Sequence, residues 1–125
     1  MTENDLSRKV IGAAIEVHKC LGPGLLESAY ASCLAKELTI QKIDYCREVP
    51  LDMVYKGEVV DVGYRLDFLV GNKVIVELKS VEKLLPIHDA QLLSYLRISN
   101  NKLGLLINFN TKLLKYGVKR LVNGL

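Results

Sequence analysis

Tyr64 to Lys79 reads Y-R-L-D-F-L-V-G-N-K-V-I-V-E-L-K, two arms of alternating polarity around Gly71-Asn72. Leu66, Phe68 and Val70 make an apolar row in the first arm, and Val74, Val76 and Leu78 make one in the second. Period-two alternation of this kind marks strands with one buried face, so the stretch is predicted to be a β-hairpin. Its two rows must fall on the same side, and facing residues of an antiparallel pair share a side. The loop is therefore of odd length, most simply Gly71-Asn72-Lys73. Val70 then faces Val74, Leu66 faces Leu78, and Asp67 faces Glu77.

Two carboxylates placed opposite each other, β-carbons about 4.5–5.5 Å apart, destabilise a sheet unless a positive group lies between them. A hard divalent cation fills that role, because Mg²⁺ accepts one or two carboxylates and keeps waters for chemistry. Lys79 lies two residues beyond Glu77 on the same side, where its ammonium can hold an attacking water or stabilise charge on a phosphate oxygen. The blander alternative is a solvated face with surface ion pairs, worth roughly 0–1 kcal/mol each.

Working outward, Glu48 to Tyr55 and Val59 to Val62 flank Lys56-Gly57-Glu58, the signature of a short hairpin, with Pro50 marking an edge or an irregularity. The second of these strands is expected to run on to Asp67, giving a three-stranded meander. Upstream, Leu6, Val10, Ala13, Ala14, Val17 and Leu21 recur at helical spacing, predicting a helix from Asp5 to Cys20 with Thr2 or Asn4 as N-cap. His18 sits on the edge of that stripe and reads as a packing residue before a ligand. Leu21-Gly22-Pro23-Gly24 turns the chain into a second helix, Leu25 to Ile40, which carries Glu27 and Tyr30 on one face. Glu27 either stabilises its helix N-terminus or points inward to the carboxylate pair.

Downstream, Ile87 to Ser99 is a helix on which His88, Gln91 and Tyr95 share a face. Gln91 and Tyr95 are either surface groups or a pair that orients water and contacts a nucleotide. Gly104 to Phe109 is a continuous apolar run typical of a buried strand, Thr111 to Tyr116 a helical turn, and Val118 to Val122 a short last strand.

At 125 residues with half of them hydrophobic, the chain is expected to form a single domain, residues 1–125, with a sizeable core. No apolar run approaches the roughly 20 residues of a membrane span, and the acidic N-terminus has no signal-peptide core, so a cytoplasmic protein without a membrane partner is expected. Three cysteines without a C-x-x-C argue against a disulfide framework and against cysteine-bound zinc. The net charge of +3 is unevenly spread. Eleven basic and 14 acidic residues precede position 90, whereas Arg97, Lys102, Lys112, Lys115, Lys119 and Arg120 follow with no acid among them. One basic end suits a nucleic-acid or other acidic partner, and equally serves solubility.

Gly24-x-x-Glu27-x-x-Tyr30, then Asp67, Glu77-x-Lys79 and Gln91-x-x-x-Tyr95, together with L-G-P-G-L-L-E-S-A-Y and L-L-I-N-F-N, resemble the GxxExxY family of the PD-(D/E)XK nuclease superfamily over nearly the whole chain. Leu66 stands where the superfamily's name has a proline. The resemblance implies an α/β, restriction-endonuclease-like mixed sheet flanked by helices, in the order α-α-β-β-β-α-β with a short final strand. It implies Asp67, Glu77 and Glu27 as ligands of Mg²⁺ or Mn²⁺, Lys79 as the catalytic cation, and Gln91-x-x-x-Tyr95 as a RecB-like motif with Gln91 beside the metal. Tyr95, Arg65 and Arg97 would face nucleic acid, and His18, Tyr30 and His88 are further candidates near the site. The expected activity is hydrolysis of phosphodiester bonds in DNA, or in RNA. The competing reading is a non-catalytic module on a nuclease fold that binds nucleic acid or protein, and a homodimer or a protein partner would compensate for the small size.

Overall fold

A computed structural model describes residues 1–125. Helix α1 spans Glu3–Leu21 and α2 spans Glu27–Ile40. Thr2 starts α1 through a capping box: its hydroxyl accepts from the Asp5 N–H, and its own N–H donates to the Asp5 carboxylate, each at 3.1 Å. The Thr2 N–H, and after it the Thr2 hydroxyl, hold the Asp5 carboxyl below the usual carboxylate range. Leu6, Val10, Ala13, Ala14 and Val17 are buried, as the helical spacing requires.

Five strands, β1 (Tyr45–Pro50), β4 (Arg65–Val70), β5 (Val74–Lys79), β6 (Leu103–Asn108) and β7 (Val118–Val122), form one sheet in the order β1-β4-β5-β6-β7. Helix α3 (Pro86–Ser99) connects β5 to β6, the one parallel pair; the remaining pairs are antiparallel. The sheet is mixed and has helices on both faces, an architecture consistent with a restriction-endonuclease-like fold. Phe68, Val70, Val74, Val76, Leu78, Leu103, Leu105, Ile107 and Phe109 pack against α1 and α2 on one side. On the other, Ile75 and Leu106 pack against Leu92, Tyr95 and Leu96 of α3. β6 is covered on both faces, which is why its sequence is an unbroken apolar run rather than an alternation.

The hairpin turns through Gly71-Asn72-Lys73, so that Val70 pairs with Val74, Leu69 with Ile75 and Phe68 with Val76. Gly71 (φ +56°) and Asn72 (φ +57°) are left-handed, and the Lys73 N–H closes on the Val70 carbonyl at 3.0 Å. A β-carbon on Gly71 would stand 2.7 Å from the Leu6 side chain, so glycine also lets α1 approach the turn.

Two expectations are corrected. The stretch Glu48 to Tyr55 is two strands: β1 ends at Pro50, and β2 (Met53–Tyr55) pairs with β3 (Glu58–Val60) in a separate two-stranded ribbon. Pro50 offers no ladder donor, and Leu51 drops into the α3-side core while its N–H donates to the Tyr64 carbonyl. Nor does β3 continue into β4, because Asp61 accepts from the N–H of Gly63 (φ +73°) and bends the chain between them. The second correction concerns Leu66, which packs with Leu51, Leu92 and Leu96 rather than with Phe68 and Val70. β1 and β4 exchange faces together here. Arg47 pairs with Phe68 and Val49 with Leu66, while the step between them holds Glu48 in the left-handed region (φ +52°) and no Glu48–Asp67 ladder pair forms.

Gly117 has no room for a side chain: a β-carbon would fall on the Asn108 carbonyl oxygen at 2.1 Å. Gly117→Ala is expected to cost at least about 1–3 kcal/mol, as overpacking does. Gly12 in α1 has nothing within 4 Å of such a carbon. Gly12→Ala should therefore stabilise the protein by ~0.5–1 kcal/mol. Urea denaturation of the two variants reads the opposite signs directly.

Candidate functional site

The β4–β5 ladder stops at Phe68–Val76, and one step further its register brings Asp67 opposite Glu77. Side chains take over from the backbone at that step. The Asp67 N–H donates to Glu77 Oε2, and the Leu78 N–H donates to Asp67 Oδ2, both at 2.9 Å. Each carboxylate thus commits one oxygen to the main chain and leaves Oδ1 or Oε1 for another partner. The strands need not separate into solvent to relieve the charge repulsion, since the carboxylates themselves complete the ladder.

Glu77 is only 8 % exposed. Burial pushes its carboxyl from an ordinary 4.5 up to about 9, the neighbouring Asp67 charge adds to this, and Lys79 pulls the other way. A buried carboxylate beside a second one lacks a compensating charge, and a bound cation would supply it. Two hard oxygen donors fit Mg²⁺ or Mn²⁺, which retain waters in place of a full protein cage. No three His, Cys, Asp or Glu side chains converge on one point.

Glu27 is the first residue of α2 and lines a cleft of about 230 Å³ with Ser28, Ala31, Arg47, Glu48, Asp67 and Leu78. Two tethers fix its position. The fully buried Tyr30 donates its hydroxyl to the Gly22 carbonyl, accepts from the Leu25 N–H at 3.2 Å, and stacks on Phe109 at 4.5 Å. Ser80, next to Lys79, donates to the Leu25 carbonyl. The spacing of Gly24, Glu27 and Tyr30 therefore describes a loop clamped by its own tyrosine, with the acid presented from the following turn. Lys79 is half-buried at the end of β5.

Tyr95 packs under Tyr64, ring centroids 5.7 Å apart, on the α3 side. Its phenol is held above its usual value by burial and then by the negative charge of Glu77. Tyr95, Gln91 and His88 line one groove of about 620 Å³ together with Met53, Tyr64 and Ile87. Within it, His88 Nδ1 accepts from the Leu85 N–H at 3.0 Å and caps α3. Arg65 is exposed and donates to the Glu48 carbonyl at 3.4 Å; Arg97 is exposed in the last turn of α3, outside the groove. His18 hydrogen-bonds the Thr111 carbonyl at 2.8 Å through Nε2, as a packing residue does. Asp67 is thus brought beside Glu77 and into one cleft with Glu27, whereas Gln91 and Tyr95 share a separate groove along α3, and Tyr30, His88 and His18 serve local structure.

Sequence reasoning missed Arg47 and Glu48. Both reach the cleft because β1 pairs with β4 next to Asp67, and Arg47 lies over the Phe68 ring at 5.4 Å. Strand order is the only signal that would have found them.

A profile of the PD-(D/E)XK nuclease superfamily matches residues 4–121. Comparison with curated proteins gives no match, and comparison with solved structures gives none.

Because the folded-state value of Glu77 lies above its ordinary one, folding takes up a proton. In chelator, stability is expected to be fully present below about pH 4.5 and to be lost as the pH climbs towards 9. Glu77→Gln should flatten that loss, since an amide oxygen still accepts from Asp67 N–H. Urea denaturation across the range measures both. Tyr30→Phe, which strips the Gly22 carbonyl of its donor, is expected to cost about 1–3 kcal/mol in the same assay.

Proposed function

The chain belongs to the PD-(D/E)XK nuclease superfamily, and on that premise we propose that residues 1–125 act as one metal-dependent phosphodiesterase domain on DNA, with RNA as the alternative substrate. The observation that carries the reading is the Asp67–Glu77 pair: two adjoining carboxylates, one buried and the other lining a cleft, each with one oxygen not committed to the main chain. More narrowly, the clamped Gly24-Glu27-Tyr30 loop and the Gln91/Tyr95 groove support membership of the GxxExxY group.

Asp67 and Glu77 would hold Mg²⁺ or Mn²⁺, with Glu27 facing them from α2. Such an ion supplies Lewis acidity, making a water nucleophilic at neutral pH and neutralising phosphoryl charge. Lys79 orients the attacking water for in-line approach and donates to the phosphate oxygen as charge develops. Gln91 positions that water from α3, and Tyr95 borders the path of the nucleic acid. Arg65 and Arg97 neutralise backbone phosphates further out. The absence of a three-ligand cluster favours one second reading, a module that binds nucleic acid or protein without cutting it.

Calorimetric titration of Mg²⁺ and Mn²⁺ into the protein and into Glu77→Ala, followed by incubation of both with labelled single- and double-stranded DNA and RNA, separates the two. Metal binding and cleavage are expected in the parent and absent from the variant. Lys79→Ala is expected to keep metal binding and lose cleavage at least about 100-fold, the scale of one electrostatic donor. Salt-steep nucleic-acid binding that ignores metal and Lys79→Ala would establish the non-catalytic module instead.

A further inference from the structure

The β2–β3 ribbon leaves more apolar surface in solvent than its two strands account for. Val54, Tyr55 and Val59 are 66 %, 64 % and 69 % exposed, although two strands alone are marginally stable in water. Its edges are equally open, since β2 and β3 pair only with each other.

Backbone geometry identifies which edge groups are free. Lys56 (φ +50°) and Gly57 (φ +84°) form a two-residue turn closed by Tyr55 and Glu58. Tyr55–Glu58 is therefore a hydrogen-bonded pair, and by alternation Val54–Val59 is not. The N–H and C=O of Val54 point away from β3, along the outer edge of β2.

The other edges are guarded against pairing. β1 has Arg47, Glu48 with its left-handed backbone, and Pro50; β7 has Lys119 and Arg120; β3 is bracketed by Glu58 and Asp61. The core of β2, Met53 to Tyr55, has neither charge nor proline. Its flanks have opposite signs: Asp52-Met53-Val54-Tyr55-Lys56 begins with an acid and ends with a base. When β2 is laid antiparallel on itself about Val54, Val54 meets Val54 and Met53 meets Tyr55, and just beyond the ladder the side chain of Asp52 comes beside that of the turn residue Lys56 at both ends. The outward N–H and C=O of Val54 are the groups this register needs. Neither Asp52 nor Lys56 has an ion-pair partner in its own chain, whose ion pairs are Asp5–Arg8 and Asp89–Lys119.

We propose that β2 is a homodimerisation edge, taking β2 of a second copy of this chain across a two-fold axis at Val54 to form a continuous four-stranded ribbon. The isologous arrangement uses one patch twice and closes, so it yields dimers rather than fibres. It does not depend on catalysis.

Sedimentation over a concentration series, with metal and nucleic acid left out, tests the edge. The full chain is expected to dimerise. Lys56→Glu alone, or Asp52→Lys alone, places like charges beside each other at both ends and should raise the dissociation constant about tenfold or more. The double variant Asp52→Lys with Lys56→Glu restores opposite charges in the same register and should return the constant to the parent's. Amide exchange gives a reading that needs no variant: protection of the Val54 N–H should rise with protein concentration. A monomer at every concentration, a dimer indifferent to the single reversals, no recovery in the double variant, or a Val54 amide equally exposed throughout would each overturn the proposal.

Discussion

Everything at the centre of this molecule depends on two side-chain-to-backbone hydrogen bonds, Asp67 N–H to Glu77 Oε2 and Leu78 N–H to Asp67 Oδ2. Carboxylates directly opposite each other in an antiparallel pair repel, and strands normally avoid the arrangement. Here the sheet absorbs it by replacing ladder bonds with carboxylate acceptors. Because an oxygen of each carboxyl accepts a main-chain N–H at 2.9 Å, the exchange leaves the strands tied while their usual bonding pattern ends. It also fixes the side chains: each carboxylate is held at one oxygen and presents the other.

The surrounding elements raise the demand for positive charge at that point. β5 lies in the middle of the sheet with helices on either side, so Glu77 has little water around it. Lys79 offsets part of the resulting penalty on Glu77. The loop before α2 is drawn towards the same end of β5 by Ser80, and Tyr30 stiffens it from beneath. Packing and charge thus converge on the end of the hairpin away from its turn.

Much of this was legible in the sequence. The alternation on both sides of Gly71-Asn72 gave the loop length and, through it, the opposition of Asp67 and Glu77. The heptad-like stripe of α1 and the continuous run of β6 likewise predicted which elements are covered on one side and which on both. What escaped has identifiable physical causes. The break at Leu51 and the separate ribbon depend on Leu51 being captured by the α3-side core, a tertiary preference that strand propensity does not encode. The face exchange depends on left-handed Glu48, a residue with no intrinsic preference for that region. Tyr30 could be assigned to a site by its motif, but its hydroxyl partners, Gly22 and Leu25, emerge only when the helix folds back over the turn.

The face exchange has a mechanical consequence. Leu66 is anchored in the core beneath α3, and Phe68 in the core beneath α1 and α2, so Asp67 is strung between two anchors that pull towards opposite sides of the sheet. A strand buried on one side resists slippage because a one-residue shift turns its apolar row to water. This strand would lose contacts in two independent cores at once, and Asp67 acts as the fulcrum between them. The carboxylate is thereby located along the strand axis by hydrophobic leverage from both sides of the sheet.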